Sequence, residues 1–281
     1  MKTQIECFPC FLRQTVIALK QLYGVENAQH GIVRDVLAIM QQADVSKPPA
    51  YTTTFIHRAI RNGLQQDPFE KIKAEFNEIA LGLYPALKQR VAESADPLWT
   101  ASRLAIAGNI IDFGIFTSVD IEGSVSRALA PGISRDDYAS FREDLGKARR
   151  VLYLLDNAGE IVFDRLLIEE LCAAGMDVTA VVKGGPVLND VTIADARQAG
   201  IDRVCRVIDN GSDAIGTILE WTSPGFREEM QAAELIVSKG QGNFETLEPS
   251  GKRTYYLFQS KCDVVSAELG VAKGSMLLLK A

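Results

Sequence analysis

A chain of 281 residues with 47% apolar composition holds enough material for one large domain or two ordinary ones, and can bury a substantial core without disulfide staples. Its formal net charge of -6 excludes a general nucleic-acid or membrane-surface role, because phosphate backbones and anionic lipids are bound by basic faces. A single anionic pocket remains compatible with that charge. The apolar runs Leu152 to Leu155 and Leu277 to Leu279 are far too short to span a bilayer, and MKTQIECFPC lacks the apolar centre of a signal peptide. A cytoplasmic protein is expected. Five cysteines, an odd number, then read as reduced thiols rather than a disulfide framework.

From Cys10 to about Gly146 the patterning is helical almost throughout. Phe11, Val16, Leu19 and Leu22 form one stripe, Ile32, Val36, Ile39 and Met40 a second, and Phe69, Ile72, Phe76, Ile79 and Leu83 a third. Thr52 to Thr54 are read as a helix start, with His57 and Arg61 following on one face. These two read as a surface or inter-helix pair, with Arg61 a candidate to meet an anionic substrate. Asp67-Pro68 reads as a cap followed by a first-turn proline. Cys7 and Cys10 have no second pair at metal-ligand spacing, so packing at a helix start is the expected role. In LAIAGNIIDFGIF, helical spacing brings Asn109 and Asp112 together. Asp136 to Arg150 is charged and reads as a solvated helix.

Beyond Arg150 the pattern changes. Apolar, β-branched runs at Val151 to Leu155, Val178 to Val182, Val204 to Ile208, Leu235 to Val237, Tyr255 to Phe258 and Met276 to Leu279 alternate with helical stretches. The expected architecture is therefore α/β: a helical N-terminal region over residues 1–147, then a Rossmann-like α/β/α domain over 148–281. Its sheet is mostly parallel with helices on both faces, and its site lies beyond the carboxyl ends of the strands.

Those strand ends carry polar clusters. The first strand runs into Asp156-Asn157-Ala158-Gly159-Glu160 at a strand-to-helix corner, where side chains can hold a metal and helix N–H groups can meet an anion. The others are Lys183 to Thr192, Ser238 to Asn243, and Ser260 to Asp263. Each alone fits an ordinary polar loop; four emerging on one side of a sheet point to a site. Asp156, Asn157 and Asp190 are hard oxygen donors, suited to manganese, magnesium or a related divalent ion. Lys239 and Lys261 can balance phosphate oxygens, and the glycines of Gly240-Gln-Gly242 let backbone approach a ligand. Together they describe a site that handles phosphoryl groups.

DNAGEIVFD, GGPVLNDVT, SKGQGNFETL, the lysine of QSKCDVVSAELG and CFPCFLRQ also resemble the metal-dependent damage-control phosphatase family, over nearly the full length. That family includes stand-alone microbial proteins and a domain fused to some pantothenate kinases. The resemblance implies hydrolysis of phosphomonoesters such as sugar phosphates or damaged phospho-metabolites, with one divalent cation (manganese, magnesium, cobalt or nickel) as cofactor. It implies that Asp156, Asn157 and Asp190 bind the metal, with Asp156 and Asp190 catalytic. It matches Asn243 and Lys261 to positions that bind the substrate's phosphate or its organic part, and Asn109 and Asp112 to a segment that brings the helical half to the site; Glu160 and, by its own chemistry, Lys239 are also expected at the substrate. Glu160 also fits a first-turn acid favoured by the helix dipole. The nucleophile stays open between water deprotonated by a carboxylate and an aspartate itself.

The expected partner is a small phosphorylated metabolite, with no nucleic acid and no membrane; the oligomeric state is open. An adenosylmethionine-dependent carboxyl methyltransferase and a non-catalytic metabolite-binding protein are the alternatives. Against the first, DNAGE replaces a glycine-rich cofactor loop.

Overall fold

The computed structural model describes residues 1–21, 26–108, 129, 133–247 and 251–281. Asn109, Asp112 and Leu22 lie outside the described residues. Seven strands, β1 (Arg135–Asp136), β2 (Arg150–Leu154), β3 (Asp177–Val182), β4 (Arg206–Asp209), β5 (Leu235–Lys239), β6 (Arg253–Gln259) and β7 (Met276–Lys280), form one sheet in the order β1-β7-β6-β5-β2-β3-β4. All neighbours are parallel except β6 and β7. The chain winds outward from β2 through β3 to β4, then returns to place β5 on the other side of β2. That reversal opens a crevice beyond the ends of β2 and β5, the usual place for a ligand in such sheets.

The central strands are apolar on both faces because both are covered. Val151, Tyr153 and Leu155 enter one core with Leu235, Val237, Tyr255 and Leu257, whereas Leu152 and Leu154 enter the opposite core with Ile236, Tyr256 and Phe258. This is the two-residue period of an extended chain. On the first face lies the corner helix, Glu160–Ala173, which is buried nearly all round. Its outer side is covered by two N-terminal helices, α4 (Glu70–Ala92) and α5 (Pro97–Gly108). Ala105, Ala107 and Gly108 keep α5 narrow where it meets the corner helix. A Cβ on Gly108 would stand 3.0 Å from the Phe163 Cβ. The helices Pro224–Ala232 and Asp263–Leu269 cover the second face through Phe226, Met230 and Val265.

The remaining N-terminal helices, α1 (Cys7–Lys20), α2 (Glu26–Gln41) and α3 (Pro49–Leu64), build a third core around Phe11, Val36, Ile56 and Ile60. This group rests on the strand-end loops. Arg58 and Arg61 of α3 each approach Asp213 to 2.5 Å, and Arg61 also donates to the Pro186 carbonyl. The Arg61 guanidinium thus meets protein partners here.

Several boundaries move for local reasons. α3 starts at Pro49, whose ring suits a first-turn position, and Thr53 and Thr54 bond back to the carbonyls of Pro49 and Ala50. Asp67 does accept the Phe69 N–H at 2.9 Å, with α4 beginning at Glu70. Val204 and Cys205 belong to the turn before β4. The stretch read as one solvated helix from Asp136 instead holds β1 and the short helix Tyr138–Leu145, and its acids point to work at the sheet edge. Asp144 accepts from the Tyr255 hydroxyl at 2.6 Å and the Lys280 ammonium at 2.7 Å.

Candidate active site

β2 ends with Leu154, and β3 runs beside it to Val182, so the loops that follow leave the sheet together. Their backbones then zip. Ala158 N–H donates to Asn189 O at 2.9 Å, Val191 N–H to Asp156 O at 2.8 Å, and Asn157 and Asp190 form an isolated antiparallel bridge. Two acids and an amide separated by more than thirty positions in sequence thereby meet at one place.

Both acids are buried, Asp156 at 8% exposure and Asp190 at 3%. Burial and the facing carboxylates of Asp190 and Glu160 hold Asp156 well above the usual carboxylate range, with Lys261 and Lys183 pulling the other way. Burial likewise raises Asp190, against the attraction of Lys183. The Lys183 ammonium lies 3.4 Å from Asp190 Oδ2 and also donates to the Gly216 carbonyl. Asp190 Oδ2 itself is buried and accepts no hydrogen bond among the described residues. Asn157 is held by its nitrogen: Nδ2 donates to Asp156 Oδ2 at 2.6 Å and to Glu160 Oε2 at 3.0 Å. Its carbonyl oxygen is thus the atom left to act as a ligand.

Beneath this group runs a buried ionic chain. The Lys239 ammonium donates to the Ala105 carbonyl at 2.8 Å, to Asp164 Oδ1 at 2.7 Å and to Glu160 Oε1. The Tyr153 hydroxyl donates to the same Asp164 oxygen at 2.7 Å. Burial alone would depress Lys239, but Asp164 and Glu160 outweigh it and raise its pKa. Burial raises Asp164 as well, against the pull of Lys239. All three ammonium protons are spent inside the protein. Lys239 therefore does not face a phosphate; it holds Glu160, which in turn holds Asn157.

Asn243 has a comparable task. Its Nδ2 donates to the Lys239 carbonyl at 2.8 Å and its Oδ1 accepts from Thr217 at 2.7 Å, at 1% exposure. It braces the turn after β5; this residue and Lys239, both expected at the substrate, make their side-chain bonds to protein groups here. Lys261 is half-buried, its N–H donates to Gln241 Oε1 at 2.9 Å, and its charge stabilises the Asp156 carboxylate. Gly240 passes directly over the acid. Its φ is +80°, and a Cβ there would fall 1.9 Å from Asp156 Oδ2.

Of the residues singled out in the sequence, Asp156, Asn157, Glu160, Lys239 and Asp190 form one connected group, with Lys261 beside it. Asp164 and Lys183 were not assigned roles. The spacing of Glu160 and Asp164, one helical turn apart on a helix buried all round, was the available signal for the first. Nothing in a loop lysine marks that its ammonium turns inward.

A family model described as the damage-control phosphatase ARMT1-like domain matches residues 3–277. A protein of Methanocaldococcus jannaschii is 35% identical, with 100% of this chain and 96% of that protein covered. Two proteins named damage-control phosphatases are similarly close. The one from Pyrococcus horikoshii is 31% identical over 100% of this chain and 98% of its own length, and the one from Archaeoglobus fulgidus 34% over 99% and 98%. The crystal structure of a DUF89 family protein from Pyrococcus horikoshii superposes with a TM-score of 0.91 at 31% identity, covering 100% of this chain and 99% of that one. With the same fold and a match from the third residue to the last strand, the chain belongs to the damage-control phosphatase ARMT1-like family.

Proposed function

We propose that this protein is a divalent-metal-dependent phosphatase that hydrolyses small phosphomonoesters, sugar phosphates or damaged phospho-metabolites, in the cytoplasm. Asp156, Asn157 and Asp190 would hold the cation. The observation that carries the reading is the backbone bridge between Asn157 and Asp190, which gathers the three oxygen donors. Among the described residues no three His, Cys, Asp or Glu side chains form a cage. Two carboxylates and an amide do suit a hard ion, and the buried Oδ2 of Asp190, which accepts no hydrogen bond among the described residues and has the Lys183 ammonium 3.4 Å away, is what such an ion would satisfy. Manganese, magnesium, cobalt and nickel all fit that donor chemistry.

When bound, the cation supplies Lewis-acid polarisation of a phosphate oxygen and offsets the charge of the two acids. The protein's own groups do the rest. Glu160 and Lys239 fix the Asn157 amide, Lys183 balances Asp190, and the half-buried Lys261, whose charge favours the Asp156 carboxylate, would also offset the charge of a phosphate. The five cysteines are all free, as a reducing compartment would keep them. No helix among the described residues is long and apolar enough to cross a membrane.

The test is phosphate release from p-nitrophenyl phosphate and a panel of sugar phosphates by metal-stripped protein, with each ion added back. Metal-stimulated release lost in Asp156→Ala and Asp190→Ala supports the proposal. Adenosylmethionine binding without release would favour a methyltransferase, and neither activity would leave a metabolite-binding protein. Trapping separates the nucleophiles: an acyl-phosphate captured by hydroxylamine or borohydride after a rapid quench means an aspartate attacked, and turnover with none captured means water did.

A further inference from the structure

The two loops that carry the acids are tied a second time, from the helical half of the chain. Asn77 of α4 is fully buried, and its side chain spans both loops. Its Oδ1 accepts the N–H of Gly159 at 2.8 Å. Gly159 precedes the first residue of the corner helix at a φ of +78°, so the helix itself offers this N–H no partner. The other end of the amide faces the second loop. Nδ2 donates to Asp195 Oδ1 at 3.2 Å and to Gln198 Oε1 at 2.9 Å. Asp195 Oδ2 then accepts both the N–H and the hydroxyl of Thr192 at 2.8 Å, closing the turn just past Asp190. Lys73, one turn earlier on α4, forms an ion pair with the same Asp195 oxygen at 3.5 Å. Along this path Gly159, Asn77 and Asp195 are buried and Thr192 is half-buried. A donor or acceptor lost from its buried part leaves the partner group unsatisfied.

We infer that Asn77 is a positioning residue for the cation site: with Asp195 it sets the spacing between Asp156 and Asn157 on one loop and Asp190 on the other. The inference rests on the metal-dependent reading above. Asn77 touches neither ion nor substrate and acts through the loops it joins. Its amide is also the right group for the place, since it accepts toward Gly159 and donates toward an acid at once. A carboxylate at position 77 would keep the first bond and turn the second into repulsion.

Calorimetric titration of manganese into the metal-free full chain at 25 °C tests this. The proteins compared are wild type, Asn77→Asp, Asp195→Asn, the double variant N77D/D195N and Asp156→Ala. Each single variant sets two like groups against one another, and an outer partner of a metal site typically costs about 10-fold or more in affinity when lost. The double variant reverses the direction of the bond and should return the Kd to within about 3-fold of wild type, the coupling expected of residues in contact. Thermal melts show which proteins are folded at the titration temperature. If Asn77→Asp does not fold, Asp195→Asn carries the same comparison. A lowered Tm with an unchanged Kd would make Asn77 a packing residue only and overturn the inference. So would a double variant that binds as weakly as the singles. Equal binding by wild type and Asp156→Ala would instead remove the metal reading itself, and the inference with it.

Discussion

At the scale of single residues, burial decides the partners and the charge of two ionisable side chains. Lys239 has the chemistry to meet a phosphate, yet in the protein it meets Glu160 and Asp164. His57, read as a surface or inter-helix residue, is buried near Phe69 and Gln14. Burial, and then the positive charge of Arg61, depress its pKa from 6.5 to about 3. Between those two values the unfolded chain binds a proton that the folded chain refuses. Stability is therefore lost as pH falls through that window, by up to about 1.4 kcal/mol per pH unit, and the effect levels off below it. Urea midpoints of wild type and His57→Gln from pH 7 to pH 4 are expected to diverge in slope, the variant being the flatter. Parallel curves would contradict the buried, neutral imidazole. Residue types at the site were legible, because Asp156, Asn157 and Asp190 are donors whatever their surroundings. Which lysine faces inward was not, since that depends on partners contributed by other elements.

At the scale of elements, the strand-to-helix corner was the most legible feature. Its apolar run switches from a two-residue to a helical period across Asp156 to Glu160. β1 was invisible by contrast: Arg135 and Asp136 are a strand only because β7 lies alongside them. Val16 and Ile79, assigned to buried stripes, are 47% and 46% exposed, because a periodic face is wider than the partner that covers it. The turn after β5 belongs to this scale too. Gly240 is required twice over, by a positive φ and by the Asp156 carboxylate lying where a side chain would start. Gly240→Ala is expected to displace Asp156, abolishing metal-stimulated phosphate release and lowering Tm. An active variant with an unchanged melt would show that the turn and the acid are not in contact.

At the scale of the whole molecule, the change of pattern near residue 148 marks where the central strands begin and not where a core ends. Ala80, Leu87, Leu104 and Ile106 from α4 and α5 share one core with Val151, Tyr153, Leu167 and Val237. Composition favoured enough buried surface for one or two domains, and periodicity cannot decide which helices lie on which sheet. A fragment of residues 148–281 would leave the apolar outer face of the corner helix uncovered. Expressed alone it is expected to bind a hydrophobic dye and to melt without a cooperative transition, whereas the full chain melts in one step. A cooperative fragment would contradict the shared core.

The proposed chemistry needs a single cation, which Asp156, Asn157 and Asp190 would hold where the loops after β2 and β3 meet. Titrating manganese into metal-stripped protein while following phosphate release tests that most directly. Release should rise from background to a plateau with one ion bound per chain, and Asp156→Asn and Asp190→Asn should stay at background across the titration. Full release by the stripped enzyme in excess chelator, or an unchanged titration in either variant, would contradict it.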